Sequence, residues 1–123
     1  KHKKIKMFNG GKMIRDFTYI DDVAISIKKL IKNTPNNRKK IPYRILNLGS
    51  NNPTSLKNFI KNLEIVLKKK ANKVNYSMQK GDVKHTHANI KKLGKLIKFR
   101  PNTKIQKGIL NFVNWYNKYY DKK

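Results

Sequence analysis

Arg15-Asp16-Phe17-Thr18-Tyr19-Ile20-Asp21-Asp22 opens with a cation, passes through aromatic and β-branched residues suited to a strand, and closes on two acids. The acids stand where a helix should begin, because apolar residues then recur at Val23, Ile27, Leu30 and Ile31, which is helical spacing. Asp21 or Asp22 can accept a hydrogen bond from a free N–H of the first turn, and its charge suits the positive end of the helix dipole. Just upstream, Phe8-Asn9-Gly10-Gly11-Lys12 is a turn that brings the backbone close to a ligand if one binds there. A strand, a glycine turn, an arginine and a capped helix thus follow in order. Chemistry alone makes this an ordinary β-turn-β-α connection with a surface arginine.

The 123 residues suffice for one domain with a core. Cysteine is absent, which excludes disulfides and thiolate chemistry. No apolar run approaches the roughly 20 residues of a membrane helix. No signal peptide is visible. These features set a cytoplasmic location, with no membrane partner, as the expectation. Lys1 is not an initiator Met, and we expect the chain to be a fragment.

Thirty-one lysines and arginines against six acids give a formal net charge of +25. A balance this basic usually signals nucleic acid or an anionic surface. Arginine, the residue of bidentate phosphate and guanine contacts, appears only at Arg15, Arg38, Arg44 and Arg100. The lysines are spread along every element, and the abundance of Lys, Asn and Ile reads as the drift of an AT-rich genome. The expectation is weak, non-specific polyanion binding and no specific nucleic acid partner.

Along the chain, Lys1 to Lys4 reads as a basic lead-in, Ile5 to Phe8 as a short strand and Met13 to Ile20 as extended. The first helix is expected from about Asp21 to Asn33, and Thr34 to Pro42 as an exposed loop. Tyr43 to Leu48 is the best strand, with a near-continuous apolar run that predicts burial on both faces of a parallel sheet. Ser55 can cap a second helix carrying Leu56, Phe59, Ile60, Leu63 and Leu67 on one side, with Glu64 and Lys68 as an i,i+4 pair. Val74 to Met78 reads as a strand broken by Lys80-Gly81-Asp82. Asn89 to Ile97 reads as a short helix with Ile90, Leu93 and Leu96 or Ile97 inward. Thr103 is a fitting cap for a last helix with Ile105, Ile109, Phe112, Val113 and Tyr116 at helical spacing. Trp115 and Tyr119 broaden its apolar face, and aromatics packed inward are favoured over a base-stacking surface. This alternation argues a mixed α/β domain.

Few residues carry chemistry by type alone. Arg15 has the planar fork that suits phosphate oxygens, and it can equally pair with Asp16 or Asp82. In Gln79-Lys80-Gly81-Asp82, Gly81 frees the backbone and Asp82 can bind a hydroxyl; a plain turn is the other reading. Phe8 reads first as a core residue. His85 and His87 lack a third histidine or any cysteine nearby, so a zinc site lacks ligands.

The wording of several stretches adds to this. Phe8-Asn9-x-Gly-Lys-Met-x-Arg-Asp-Phe-Thr-Tyr-Ile-Asp-Asp is followed by Pro42-Tyr43-Arg44-Ile45-Leu46-Asn47-Leu48-Gly49, Asn52-Pro53 and Met78-Gln79-x-Gly81-Asp82-Val83. Phe99-x-Pro101-Asn102-Thr103 and Phe112-Val113-x-Trp115-Tyr116 complete the series. In this order the motifs resemble the C-terminal half of the NAD-dependent sugar-nucleotide epimerase/dehydratase family, the extended short-chain dehydrogenases. Within it the likeness is greatest to the UDP-glucuronate 4-epimerases, from about Ile5 to Tyr120. Collinear motifs are a stronger signal than any one alone.

The resemblance implies an α/β fold: the C-terminal part of a Rossmann-type enzyme, with a small mixed sheet and about four helices. Residues 1–123 would be its substrate-binding region, without the NAD-binding part. Arg15 would hold the diphosphate of a UDP-sugar. Gln79 stands where the wider family often has a second phosphate-binding arginine, and Asp82 where ribose is contacted or that arginine is ordered. Main-chain groups near Lys6 and Phe8 would meet the uracil edge. The complete enzyme would use NAD, which a preceding part binds, and act as a homodimer in C4 epimerisation of UDP-glucuronate. A related dehydratase or decarboxylase shares the same half. The family's G-x-x-G-x-x-G fingerprint is missing here, since Asn9-Gly10-Gly11-Lys12 does not match it. Tyr76…Lys80 and Tyr119…Lys123 match the catalytic Tyr-x-x-x-Lys by chance in so lysine-rich a chain, so no catalytic residue is assigned and the fragment alone is expected to be inactive.

Overall fold

A computed structural model describes residues 3–36 and 41–120. Along the chain run β1 (Ile5–Phe8), β2 (Ile14–Arg15), α1 (Ile20–Ile31), β3 (Thr54–Ser55), α2 (Leu56–Leu67), β4 (Lys73–Tyr76), α3 (Lys91–Ile97) and α4 (Ile105–Tyr120). The architecture is α/β, with four α-helices among the described residues, as expected. Its strands form two pairs rather than one sheet: β1 with β4 in parallel, and β2 with β3 antiparallel. The described residues divide into two compact units. One takes in the chain to Arg15, Pro53–Thr86 and the segment from Lys104 on; the other takes in Asp16–Asn52 and His87–Thr103.

The first unit is built on β1. A tight turn at Asn9–Gly11 follows it, with Gly11 at φ 73°. Only glycine fits there: a Cβ on Gly11 would collide with the Met7 side chain and stand 3.2 Å from Lys57 Cβ. Ser55 caps α2 as expected, its hydroxyl accepting from the Asn58 N–H at 3.2 Å. The buried residues Met7, Met13, Ile60, Ile109 and Val113 form the core of this unit. Glu64 pairs with Lys73 at 2.8 Å and accepts from the Ala71 N–H at 2.8 Å, so the i,i+4 pairing expected with Lys68 is replaced by a longer-range one. Lys68 instead ends the helix in the left-handed conformation.

The aromatic half of α4 departs from expectation. Ile109 and Val113 turn inward, whereas Phe112, Trp115, Tyr116, Tyr119 and Tyr120 are exposed. The rings pack on one another along the helix, Trp115 on Tyr119 at 5.5 Å and Tyr116 on Tyr120 at 4.5 Å. The inward stripe needs only one residue in four here, so the remaining apolar residues face out. Thr103, expected as the cap of α4, places its backbone N–H on the Asp22 carboxylate at 2.9 Å.

In the second unit α1 begins one residue before the acids, at Ile20, with Tyr19 at the cap position and no side-chain capping bond. Asp22 is not the cap. It is buried, and its carboxylate accepts the N–H groups of Asn102 and Thr103 at 3.1 and 2.9 Å, while the Ser26 hydroxyl donates to its carbonyl at 2.7 Å. This use of Asp22 turns α1: Asp22 and Ser26 face in, and Ile27 and Ile31 face out. Ile90, Leu93 and Ile97 are buried, as their spacing predicts.

The segment 41–48 corrects the sequence reading most clearly. It forms no strand, and Ile41, Tyr43 and Ile45 are 84, 77 and 83% exposed. A strand's N–H and C=O groups need a neighbouring strand, and among the described residues none lies against it. The expected lead-in at Lys1 and the loop around Arg38 fall partly outside the described residues, as does Lys123. No helix among the described residues is long and apolar enough to cross a membrane.

Candidate functional site

All five residues singled out for ligand contact lie in the first unit. Lys6 and Phe8 stand on β1, opposite Val74 and Tyr76 of β4. The Ile5 N–H donates to the Asn72 carbonyl at 2.7 Å, so β1 turns the main-chain groups of Ile5 and Met7 toward β4. By alternation, Lys6 and Phe8 direct theirs to the other edge, where no strand lies among the described residues. Side chains alternate as well. Met7 is buried on the α2 side, beside Lys57, Ile60, Lys73 and Asn75 around a cavity of about 280 Å³. The opposite face carries Lys6, Val74, Phe8 and Tyr76. There the Phe8 and Tyr76 rings lie 5.7 Å apart, tilted by 46°, and Lys6 Nζ sits 5.5 Å from the Tyr76 ring centre.

Beyond β4 the chain turns at Gln79–Asp82, closed by the Asp82 N–H on the Gln79 carbonyl at 3.3 Å, with Gly81 at φ 79°. The next stretch pairs with β2: Ile14 bridges His85, and the Thr86 N–H donates to the Ile14 carbonyl at 3.1 Å. This places Asp82 beside Arg15. Arg15 Nη2 donates to Asp82 Oδ1 at 2.7 Å, and Nη1 to the Ile14 carbonyl at 2.8 Å. Of the two acids open to Arg15 from sequence, Asp82 is the partner. The pair is partly exposed, so the attraction itself adds at most about 1 kcal/mol of stability. Its effect is to fix the planar fork. β2 and the turn after β4 thus bring Arg15 and Asp82 together, with Gln79 at the start of the same turn, while Lys6 and Phe8 lie on β1.

Asp16, next in the chain, has a different task within the second unit. Its carboxylate accepts from the Ser50 hydroxyl and from the N–H groups of Ala88, Asn51 and Asn52 at 3.0, 3.1 and 3.3 Å. Burial pushes its pKa up, but the Ser50 hydroxyl and the three backbone donors outweigh that and hold it below the ordinary value. Gly49 belongs to the same arrangement, because a Cβ there would meet Ala88 and come within 2.9 Å of Asp16 Oδ2. His87 Nε2 lies 2.7 Å from Asn51 Oδ1. No group of three metal-ligating residues occurs among the described residues.

Sequence reasoning named Tyr76 only in a chance Tyr-x-x-x-Lys match and Asp16 only as a possible partner of Arg15. The parallel register that sets Tyr76 against Phe8, and the turns that converge on Asp16, join residues far apart in the chain.

No family model matches the chain. Relatives are nonetheless clear. It is 38% identical to Protein CapI of Staphylococcus aureus over 96% of the chain, and 40% identical to the UDP-glucuronate 4-epimerase of Thermodesulfobacterium geofontis over 92% of it. UDP-glucuronate 4-epimerase 4 of Arabidopsis thaliana is 38% identical over the whole chain. The chain spans 39, 33 and 31% of the length of these three proteins. Among solved structures, the UDP-glucuronic acid 4-epimerase of Bacillus cereus, in complex with UDP-glucuronic acid and NAD, superimposes with a TM-score of 0.82 at 27% identity. That match covers 97% of this chain and 37% of the other. The dTDP-glucose 4,6-dehydratase of Bacillus anthracis shares the fold, with a TM-score of 0.78 at 19% identity. By sequence and by fold the chain belongs to the NAD-dependent nucleotide-sugar epimerase/dehydratase family, the extended short-chain dehydrogenases, and corresponds to a C-terminal part of the UDP-glucuronate 4-epimerases within it.

Proposed function

We propose that residues 1–123 are the UDP-sugar-binding part of an enzyme that, when complete, interconverts UDP-glucuronate and UDP-galacturonate by oxidation and reduction at C4. The observation that carries this reading is the edge of β1 that no strand covers among the described residues, where Lys6 and Phe8 direct their main-chain groups away from β4. Such an edge offers donors and acceptors to the rim of a pyrimidine. Arg15 takes the diphosphate, held in place by Asp82, which also has its second oxygen for a ribose hydroxyl. Gln79, at the start of the same turn, adds an amide for hydrogen bonding. The B. cereus epimerase solved with UDP-glucuronic acid supports the substrate class.

NAD in this account belongs to sequence outside these residues. Among the described residues, the glycine turn after β1 leads into β2 and the one after β4 leads to the His85 bridge, so neither offers a helix N-terminus to a pyrophosphate. The residues present do not fit a dinucleotide, and no chemical step is assigned to them. Tyr76 ends β4 and Lys80 lies in the following turn, so they do not share a helix face. In this account the complete enzyme is a homodimer, which its elution volume would test.

Calorimetric titration with UDP tests the reading. Saturable binding by the complete protein, weakened by Arg15→Ala, is the expected result; no binding by the wild type would overturn it. The 123 residues alone should not epimerise UDP-glucuronate.

A further inference from the structure

The second half of α4 carries five aromatic residues that the fold leaves outside. Ile109 and Val113 fill the inward stripe at 4 and 8% exposure, whereas Phe112, Trp115, Tyr116, Tyr119 and Tyr120 are 47–64% exposed. Phe112, Trp115, Tyr116 and Tyr119 recur at helical spacing, so they share one side of the helix, and Tyr120 extends it. Their rings form a continuous ladder. Phe112 lies 5.7 Å from Trp115 and 6.2 Å from Tyr116, and these pack in turn on Tyr119 and Tyr120 at 5.5 and 4.5 Å. Lys107, Asn114 and Lys118 are exposed as well, and their spacing places them around the helix from this stripe.

We propose that α4 lies flat on an anionic lipid surface, with its aromatic stripe at the level of the headgroups. The make-up of the stripe favours lipid over a protein groove. From Phe112 to Tyr120 its exposed apolar side chains are all aromatic, four of the five being Trp or Tyr. Such rings pair an apolar body with a polar tip that stays wet, which suits the boundary between headgroups and acyl chains. A helix made for a groove in a partner protein would show aliphatic anchors at these positions. Charge selects the kind of lipid. Ile105–Tyr120 holds two lysines and no acid, and Lys122 and Lys123 follow Asp121 in sequence. The whole chain carries +25, so a second copy of it repels while an anionic bilayer attracts, by about 1 kcal/mol for each cation close to the surface. Length settles the orientation. Sixteen helical residues span about 24 Å, and no helix among the described residues is long and apolar enough to cross a membrane. A helix that rests on a bilayer needs only one apolar side, so the absence of a crossing helix does not bear on this surface.

The test is co-sedimentation of the complete protein with vesicles of phosphatidylcholine, pure or mixed equally with phosphatidylglycerol. The protein should bind the mixed vesicles at least about tenfold more tightly than the pure ones, and added salt should weaken the binding. The double variant Trp115→Ser, Tyr119→Ser should lose about tenfold on the mixed vesicles, whereas Trp115→Phe should stay within about threefold of the wild type. Circular dichroism checks that each variant keeps its fold. Binding to mixed vesicles with equal affinity in the double variant would show that scattered lysines alone hold the protein, and would overturn the role of α4. No binding to either vesicle would overturn it too. So would a dimer of the complete protein that the double variant abolishes, because a second copy would then cover the stripe.

Discussion

Arg15 Nη2 and Asp82 Oδ1 stand 2.7 Å apart, although 67 positions separate them in the chain. The pairing follows from strand geometry: β2 carries Arg15, and the stretch after the Gln79–Asp82 turn lies along β2 at His85. An arginine fixed at the end of a short strand keeps donors free of its carboxylate partner. Arg15→Ala in the complete protein should weaken UDP binding about ten- to a hundredfold, since a charged hydrogen bond to phosphate contributes about 1.5–3 kcal/mol. The melting temperature should barely move. Arg15→Lys should recover only part of the affinity, because an ammonium lacks the planar fork. A lowered melting point with unchanged UDP affinity would make Arg15 a purely structural partner of Asp82.

Asp16 should make the protein sensitive to acid. Its folded-state pKa lies below the unfolded value, so its stabilisation is complete above the unfolded pKa of about 3.9. That stabilisation is lost as the pH falls through the folded-state value. Thermal melts between pH 7 and pH 3 should show a steeper acid loss in the wild type than in Asp16→Asn. At pH 7 the variant should be less stable by about 2–3 kcal/mol. Parallel acid profiles for the two proteins would remove Asp16 as the source.

Gly49 should tolerate no side chain. Its Cβ would run into Ala88 and the Asp16 carboxylate, and overpacking of this kind costs about 1–3 kcal/mol. Gly49→Ala should therefore lower the denaturation midpoint, and Gly10→Ala should do so through backbone strain only, since nothing lies within 4 Å of its Cβ. Urea titrations compare the two; a neutral Gly49→Ala would show that the 49–52 turn has room to shift.

The segment 41–48 leads to a prediction about protection. Its backbone has no strand partner among the described residues, and its isoleucines and tyrosine are exposed. In the 123 residues alone, the amides of Ile45 and Leu46 should exchange with solvent quickly. In the complete protein we expect slow exchange, because an apolar strand of this kind is stable only inside a sheet. Hydrogen exchange read by mass spectrometry on both forms decides it, and equal rates would show that 41–48 is a surface loop in either.

What the sequence made legible was local. Ser55 announced α2, and the spacing of Ile90, Leu93 and Ile97 announced the buried side of α3. Ile5 to Phe8 and Val74 to Met78 were recognisable as strands, though their parallel pairing was not. What depended on distant partners was missed. Asp22 looked like a cap because two acids preceded a helix, yet its carboxylate serves residues 102 and 103. Glu64 looked like a partner of Lys68 until the chain brought Lys73 back to it. Tyr43 to Leu48 has the composition of a buried strand, and composition says nothing of whether a neighbouring strand is present. Lys6, Phe8, Arg15, Gln79 and Asp82 were named through family likeness. That β2 and the turn after β4 set Arg15 against Asp82 came only from the structure.

The most direct test is to incubate the complete protein with UDP-glucuronate and NAD and resolve the products by chromatography and NMR. The account predicts a mixture of UDP-glucuronate and its C4 epimer, UDP-galacturonate, with the carboxylate retained. Unchanged UDP-glucuronate, or a product that has lost carbon dioxide or water, would contradict it.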